Sequence, residues 1–281
     1  MNALTLGLVA ALCWGFHDIC VRFLSQKTPL SACIITVLST GLVFHLGVMI
    51  AHDSFGTLDN YVMGLSALAG VFFVVATFGL YFAFQRGPVR LVAPIIAGYP
   101  IISVAVAWAQ GTPISGLDLI AIAAIVAGVA TVAALSDTSV DDTPAIGPTI
   151  ALSTLAAIGF AGTFAIGQHA ADLGGEPPTT LVTRVVAVGL TVAILLIWKL
   201  PFWAGKRALP ILITMGIADG IALIAVLTAG TLARAELAAV ASSMFGLLTI
   251  LLAWMFLRER MTGKQWLGCL VAFAGVGYLA I

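Results

Sequence analysis

The sequence predicts an all-α membrane protein of ten transmembrane helices, arranged as two inverted five-helix repeats. Three observations lead there. Hydrophobic residues make up 61% of the 281 residues and charged residues only 9%, with a mean hydropathy of +1.15. A soluble domain carries roughly a quarter charged residues, so this chain cannot clothe a water-facing surface. Apolar stretches that match a hydrocarbon core of ~30 Å, about 20 helical residues, recur ten times along the chain. The stretches fall into two halves of nearly equal length, 1–135 and 148–281, joined by a polar linker at 136–147 that carries Asp137, Asp141 and Asp142. Five is odd, so a five-helix unit used twice must enter the membrane in opposite senses, the arrangement of many alternating-access carriers.

The first span, 3–24, follows Met1 and Asn2 with no basic segment before it, and it is expected to be retained rather than cleaved. The others are placed at 30–51, 61–84, 89–110, 116–135, 148–171, 178–200, 208–231, 236–257 and 262–281. Turn chemistry punctuates them: Thr28-Pro29, Gly87-Pro88, Thr112-Pro113, Pro177-Pro178 and Leu209-Pro210. Within the fourth span Pro94 and Pro100 flank Gly98. Each proline removes a backbone bond and frees a carbonyl, which marks Pro94, Gly98 and Pro100 as a kinked gate or hinge. The fifth and tenth spans are rich in small residues, Ala123, Ala127 and Gly128 in one and Gly268, Ala272 and Gly275 in the other. Such residues let backbones approach closely in lipid, so these two spans are expected to pack rather than touch substrate. An offset of 146 residues aligns the halves, placing Trp108 on Trp254, Ala10-Ala11 on Ala156-Ala157 and Pro100 on Gly246.

Lysine and arginine set the orientation. Arg22, Lys27, Arg86, Arg90, Lys199, Lys206, Arg207, Arg258, Arg260 and Lys264 all follow odd-numbered spans, against Arg234 alone on the other side. This places the linker in the cytoplasm and both termini outside, in a multi-pass protein of the plasma (inner) membrane. The net charge is zero, with no basic patch for nucleic acid. Cys13, Cys20, Cys33 and Cys269 lie in apolar runs without paired spacing and read as small buried hydrophobes. Neither a metal-ligand cluster, nor a hydrolase nucleophile motif, nor a P-loop stands in the sequence. No enzyme activity, cofactor or metal is expected.

Ionisable groups inside the bilayer cost ~2.5–3.5 kcal/mol each on insertion scales, so each calls for a reason. Asp219 falls near the middle of the eighth span, Arg184 in the outer third of the seventh, and His17 and Asp18 in the inner third of the first. Asp219 and Arg184 are candidate contacts for the ammonium and carboxylate of a zwitterion; alternatively they form a structural pair, or Arg184 snorkels to the interface. His17 is placed in the site, and Asp18 and Asp219 are candidate proton carriers; alternatively Asp18 faces a vestibule and pairs with Arg22 at i,i+4. His45 and His169 read as hydrogen-bonded core residues. Aromatics away from the membrane ends, namely Trp14, Phe78, Tyr81, Tyr99, Phe160 and Phe164, are candidates to line a substrate cavity. Tyr61, Trp198, Trp203 and Trp266 read as interfacial belt residues.

The segment 235–281 carries Ala253, Trp254, Phe256, Leu257, Glu259, Arg260 and Thr262, followed by Gly268, Leu267 or Leu270, Gly275 and Val276. This resembles the carboxy-terminal signature of the drug/metabolite transporter superfamily, EamA type. Ala11 to Gly15, ALCWG, is similar to the family's first-helix motif. The chain departs from the family pattern at Met244-Phe245-Gly246, where an "[EP]-P" element is usual, and at Gln110-Gly111-Thr112, which lacks the arginine-glutamate motif of the second half. The resemblance implies a secondary transporter that works by alternating access and takes a small-molecule substrate. The aromatic interior is similar to that of the amino-acid exporters, so export of amino acids or related metabolites by a monomer in the bilayer is expected. The alternative is proton-coupled multidrug or organic-cation efflux. Small multidrug members of the superfamily use a first-helix glutamate; here Trp14 stands at that position and Asp18 one turn beyond.

Overall fold

The computed structural model describes residues 2–51, 53, 58–109, 111, 113–135, 145–230, 232 and 241–279. Most of the linker, Gln110, Thr112, Arg234 and the start of the ninth predicted span lie outside them. All the regular elements among the described residues are helices: α1 (Ala3–Leu24), α2 (Leu30–Ala51), α3 (Asn60–Arg86), α4 (Val89–Ala97), α5 (Pro100–Ala109), α6 (Gly116–Ala134), α7 (Ile146–Gly174), α8 (Glu176–Ile197), α9 (Leu209–Gly230), α10 (Phe245–Leu252) and α11 (Gly263–Leu279). The bounds of α1 and α2 coincide with the predicted spans. Seven helices, α1, α2, α3, α6, α7, α8 and α9, are long and apolar enough to cross a membrane. Shorter apolar helical stretches lie at 89–102 and 241–257.

Local chemistry explains the helix ends. The Asn2 and Asp59 side chains accept from the Thr5 and Val62 amides and cap α1 and α3. Ser115 and Asp118 form a reciprocal capping box on α6. A π-helical turn at Ala253–Leu257 continues α10. It ends on Arg258, whose left-handed backbone (φ 55°) turns the chain so that Glu259 Oε1 accepts from the Val89 amide at 3.1 Å.

The kink predicted in the fourth span is a full break. α4 ends at Ala97 and α5 begins at Pro100. The Gly98 amide donates back to Pro94 O and Ile95 O, and the Tyr99 amide to Ile96 O, so the one carbonyl that Pro100 cannot serve, that of Ile96, is satisfied locally rather than left bare at membrane depth. At the equivalent point of the second half, helix 241–243 breaks at Met244. Gly98 (φ −74°, ψ 5°) and Met244 (φ −72°, ψ −3°) share one backbone conformation and lie 146 residues apart. A methionine thus makes, without proline, the break that a glycine–proline pair makes in the first half.

The packing partners exchange between the halves. α1 packs on α9 and α10, and its counterpart α7 packs on α3 and α4; α2 packs on α9, and its counterpart α8 on α3. Three equivalent pairs also meet one another, and two of them, α6 with α11 and α2 with α8, run antiparallel. In α6 and α11, Gly128 faces Gly268 and Ala272, Gly275 faces Ala121 and Ile125, and the Gln265 side chain donates to Leu135 O. In α2 and α8, Ser31 donates to Pro201 O while Gly41 meets Arg184. Between α4 and α10, Gly246 lies against Ala93 and Ala97.

The outer surface is apolar. Tyr61, Trp198 and Trp203 are exposed, and Trp266 packs edge-on to Trp254. Cys33 and Cys269 are buried, Cys13 and Cys20 half-buried, and all four are free thiols. His45 is buried and bonded through Nδ1 to Gly41 O. His169 departs from expectation: it is exposed, while Gly159 of the same helix packs against Ala76 of α3 and Thr163 is buried.

Candidate functional site

A partly open cavity of about 40 Å³ lies where the two halves meet. Trp14, His17 and Asp18 come from α1, Val37 and Leu38 from α2, and Phe73, Thr77, Leu80 and Tyr81 from α3. Tyr99 enters from the α4–α5 break, Phe160 and Phe164 from α7, Asp219 from α9 and Phe245 from the start of α10. Neither α6 nor α11 contributes to this lining.

The wall is built in matched pairs. Shifting by 146 residues carries Trp14 to Phe160, Asp18 to Phe164, Phe73 to Asp219 and Tyr99 to Phe245, and all eight residues line the cavity. The aromatic side is continuous. Trp14 packs against Phe164 (5.6 Å between centroids) and edge-on against Phe245 (6.0 Å), and Phe164 stacks toward Phe160 (5.9 Å) and Tyr99 (5.3 Å).

Two polar clusters interrupt the aromatics. In the first, Arg184 Nη1 pairs with Asp219 Oδ2 at 2.7 Å, and Trp14 Nε1–H donates to Asp219 Oδ1 at 3.2 Å. The guanidinium is fully buried and lies over the Phe73 ring at 4.5 Å, a cation–π contact. None of its three nitrogens, nor Asp219 Oδ2, makes a hydrogen bond of good geometry among the described residues, so the 2.7 Å contact is an ion pair rather than a directed hydrogen bond. Arg184 thus reaches inward to Asp219 instead of outward to an interface, and it stands behind the cavity wall rather than on it. Shifted by 146 residues, Arg184 falls on Leu38, so the second half carries an ion pair where the first carries the apolar pair Leu38 and Phe73.

In the second cluster His17 Nδ1 meets Asp18 Oδ1 at 3.1 Å and His17 Nε2 meets the Tyr81 hydroxyl at 3.2 Å. With Asp18 ionised, Nδ1–H donates to the carboxylate and Nε2 accepts from Tyr81. The i,i+4 partnership of Asp18 with Arg22 is not formed. Arg22 donates instead to Phe84 O (2.8 Å) and Gln85 O (3.1 Å) at the end of α3 and lies 3.8 Å from Glu259. These carbonyls have no intrahelical partner, and a cation at a helix C-terminus is favourable.

Of the residues singled out from sequence, Trp14, His17, Asp18, Tyr81, Tyr99, Phe160, Phe164 and Asp219 come together on this wall. Phe78 does not. It is only half-buried and turns toward the exposed Phe82 (6.3 Å between centroids), because Phe73, Thr77, Leu80 and Tyr81 occupy the inward face of α3 and position 78 lies about 100° away from Thr77. Pro94, Gly98 and Pro100 form the break that presents Tyr99. The residues that sequence reasoning missed, Val37, Leu38, Phe73, Thr77, Leu80 and Phe245, are nearly all apolar residues in apolar helices. The repeat offset held a signal for two of them, since it leads from Tyr99 to Phe245 and from Asp219 to Phe73.

The same duplication appears in comparison with known proteins. A solved structure described as "Crystal structure of protein" superposes with a TM-score of 0.69 over 98% of this chain and 94% of its own, at 14% sequence identity; the likeness is one of fold. Uncharacterized protein MJ1333.1 of Methanocaldococcus jannaschii is 24% identical over 104 residues, 37% of this chain and 75% of that protein, which is therefore about half as long. The EamA-like transporter family matches twice, over residues 1–134 and 147–281. With nearly the whole chain accounted for by two copies of one unit, the protein belongs to the EamA-like transporter family and is a multi-pass membrane transporter of small molecules.

Proposed function

We propose that the protein is a secondary exporter that carries amino acids or related small metabolites out of the cytoplasm across the inner membrane, by alternating access. The observation that carries this reading is the cavity wall, to which both halves contribute equivalent residues. A site opened alternately to either side must be shared by two units that rock against each other, and it sits naturally at their interface. The antiparallel meeting of α6 with α11 and of α2 with α8 supports an inverted repeat, because a two-fold axis in the membrane plane reverses helix direction. Ten crossings follow if α4 with α5, residues 241–257 and α11 complete the seven long helices. The charge distribution then places the linker in the cytoplasm and both termini outside. The breaks at Gly98 and Met244 are the natural hinges, and because the two halves of one chain supply the whole lining of the cavity, a monomer suffices. Transport is either facilitated or coupled to protons through Asp18 or Asp219.

A second reading, proton-coupled efflux of organic cations, is favoured by one observation: Asp18 Oδ2 is buried at the cavity without a hydrogen-bond partner among the described residues. Counterflow in proteoliposomes separates the two. Vesicles loaded with one unlabelled amino acid should accumulate its labelled form. If no amino acid accumulates and a lipophilic cation does, the exporter reading fails and efflux replaces it.

A further inference from the structure

We infer that the groove between α2 and α9, with the basic loop 198–208 at its mouth, binds an anionic phospholipid, an acyl chain lying in the groove and the headgroup on the loop. The groove is separate from the central cavity and does not depend on what that cavity carries. It holds about 520 Å³ and is open to the outside. Thr36, Ser39 and Val43 line it from α2, Leu209 and Ile213 from α9, and Phe202 from the loop. Its origin is local. Gly216 lies against Val37 and Thr40, and Gly220 against Phe44, so α2 and α9 approach closely. The short side chains of Thr36 and Ser39 beside that contact leave a furrow. The Thr36 hydroxyl hydrogen goes to Ala32 O at 2.7 Å and that of Thr40 to Thr36 O at 2.8 Å. These hydroxyls have no hydrogen left for a polar solute, and the wall suits a hydrocarbon chain. Val43 lies about 20 Å along α2 from its start at Leu30, at 1.5 Å per residue. The groove therefore runs as deep as one leaflet, about half of a ~30 Å hydrocarbon core.

Charge selects the headgroup. The loop joins α8 to α9 at a membrane end, and Ser31, the second residue of α2, ties it down by donating to Pro201 O at 2.8 Å. Lys199, Lys206 and Arg207 are exposed, and their side chains have no ion-pair or hydrogen-bond partner among the described residues. Lys199 is three residues from Phe202 and Arg207 two from Leu209, so at ~3.8 Å per residue both lie within about 12 Å of the groove lining. Lys27, also exposed, precedes Ser31 by one helical turn at the same end. Neither 19–52 nor 177–218, the stretches that carry both walls and the loop, contains an aspartate or glutamate. Cations without carboxylates at the mouth of an apolar groove complement a phosphate headgroup above its acyl chain, the chemistry of basic pockets between membrane helices. The exposed Trp198 and Trp203 set the loop at headgroup level.

The test uses the full-length chain in detergent micelles with equal amounts of phosphatidylglycerol and phosphatidylcholine of the same acyl chains. Native mass spectrometry counts the lipids retained. Phosphatidylglycerol should be retained at least about tenfold over phosphatidylcholine, a preference that shrinks as salt is raised. Each cation near an anionic surface is worth about fivefold, so Lys199→Gln/Lys206→Gln/Arg207→Gln should bring the ratio to within about threefold of equal. Ser39→Phe, which fills the groove, should lower retention of both lipids by at least about threefold. Lys264→Gln, at the start of α11 where it packs on α6, should change neither. A melting curve for each variant separates lost binding from lost fold, and the lipid ratio on the unmodified chain does not depend on any variant. Equal retention of the two lipids, a preference that survives in the folded triple variant, a preference lost equally in Lys264→Gln, or unchanged retention by a folded Ser39→Phe would overturn the inference. Counterflow reads the central cavity instead, so the transport proposal stands or falls separately.

Discussion

Removing one member of the Arg184–Asp219 pair should be far more damaging than removing both charges. The guanidinium is fully buried, pairs at 2.7 Å and touches Phe73. Breaking a buried pair from one side leaves an uncompensated charge and costs about 3–5 kcal/mol, whereas replacing both partners by neutral groups of similar volume is often close to neutral. Arg184→Met keeps a long stem under Phe73, and Asp219→Asn keeps an acceptor for the Trp14 N–H. Each single variant should therefore lose about 3–5 kcal/mol, while Arg184→Met/Asp219→Asn together should lose about 1–2 kcal/mol, mostly the cation–π contact. The coupling of several kcal/mol exceeds what distant, independent sites show. Equilibrium unfolding in mixed micelles, run as a double-mutant cycle, measures it. Additive costs, or single variants within 1 kcal/mol of the parent, would show that the two side chains do not depend on one another and refute the electrostatic account of this cluster.

Gly275→Val should disrupt the α6–α11 contact, since even a Cβ at Gly275 lands 2.6 Å from Ala121 O. A loss of about 1–3 kcal/mol is expected, visible as a lowered melting temperature, while Gly263→Ala, with nothing within 4 Å, should be silent. Glu259→Ala removes the acceptor of the Val89 amide and the neighbour of Arg22, a loss of about 1 kcal/mol. Faster hydrogen exchange at the first turn of α4, with the α6 capping box unaffected, would report it. Trp14→Phe deletes the 3.2 Å donor to Asp219 but leaves the ring contacts with Phe164 and Phe245. It should cost about 1 kcal/mol, and a loss as large as that of Asp219→Asn would mean that Trp14 does more than donate.

The all-helical fold and its seven long apolar helices were legible because they depend on length and composition, which survive without tertiary context. The spans at 3–24 and 30–51 coincide with α1 and α2, and the prolines around Gly98 announced the break. The facing of individual side chains was much less legible. In a water-soluble helix the polar face identifies its opposite, but in lipid both faces are apolar, so Phe78 and Tyr81 look alike in sequence. Spacing would have separated them: Phe73, Thr77, Leu80 and Tyr81 follow the i, i+4, i+7, i+8 pattern of one stripe, and Phe78 falls off it. The turn at Asp18 misled for a different reason. Local i,i+4 pairing with Arg22 is worth a few tenths of a kcal/mol, and two unsatisfied carbonyls at the end of α3 outbid it. Such a competitor lies 62 residues away in the chain and leaves no local trace.

The polar contacts of the cavity also sort by which half holds each partner, and this bears on motion. His17, Asp18 and Tyr81 all belong to the first half, and Arg184 and Asp219 both belong to the second. If the halves rock as units, these bonds persist through the cycle and keep buried charges compensated in every state, as a low-dielectric interior demands. The contacts that cross are weaker and more tolerant of adjustment: a single 3.2 Å indole bond from Trp14 to Asp219, the ring of Phe73 against Arg184, and the aromatic stacks. Such contacts can slide or re-form without exposing an unpaired charge. Within the cavity, then, each charged cluster is held inside one half, and apart from the Trp14–Asp219 bond the contacts that cross there are made by aromatic rings.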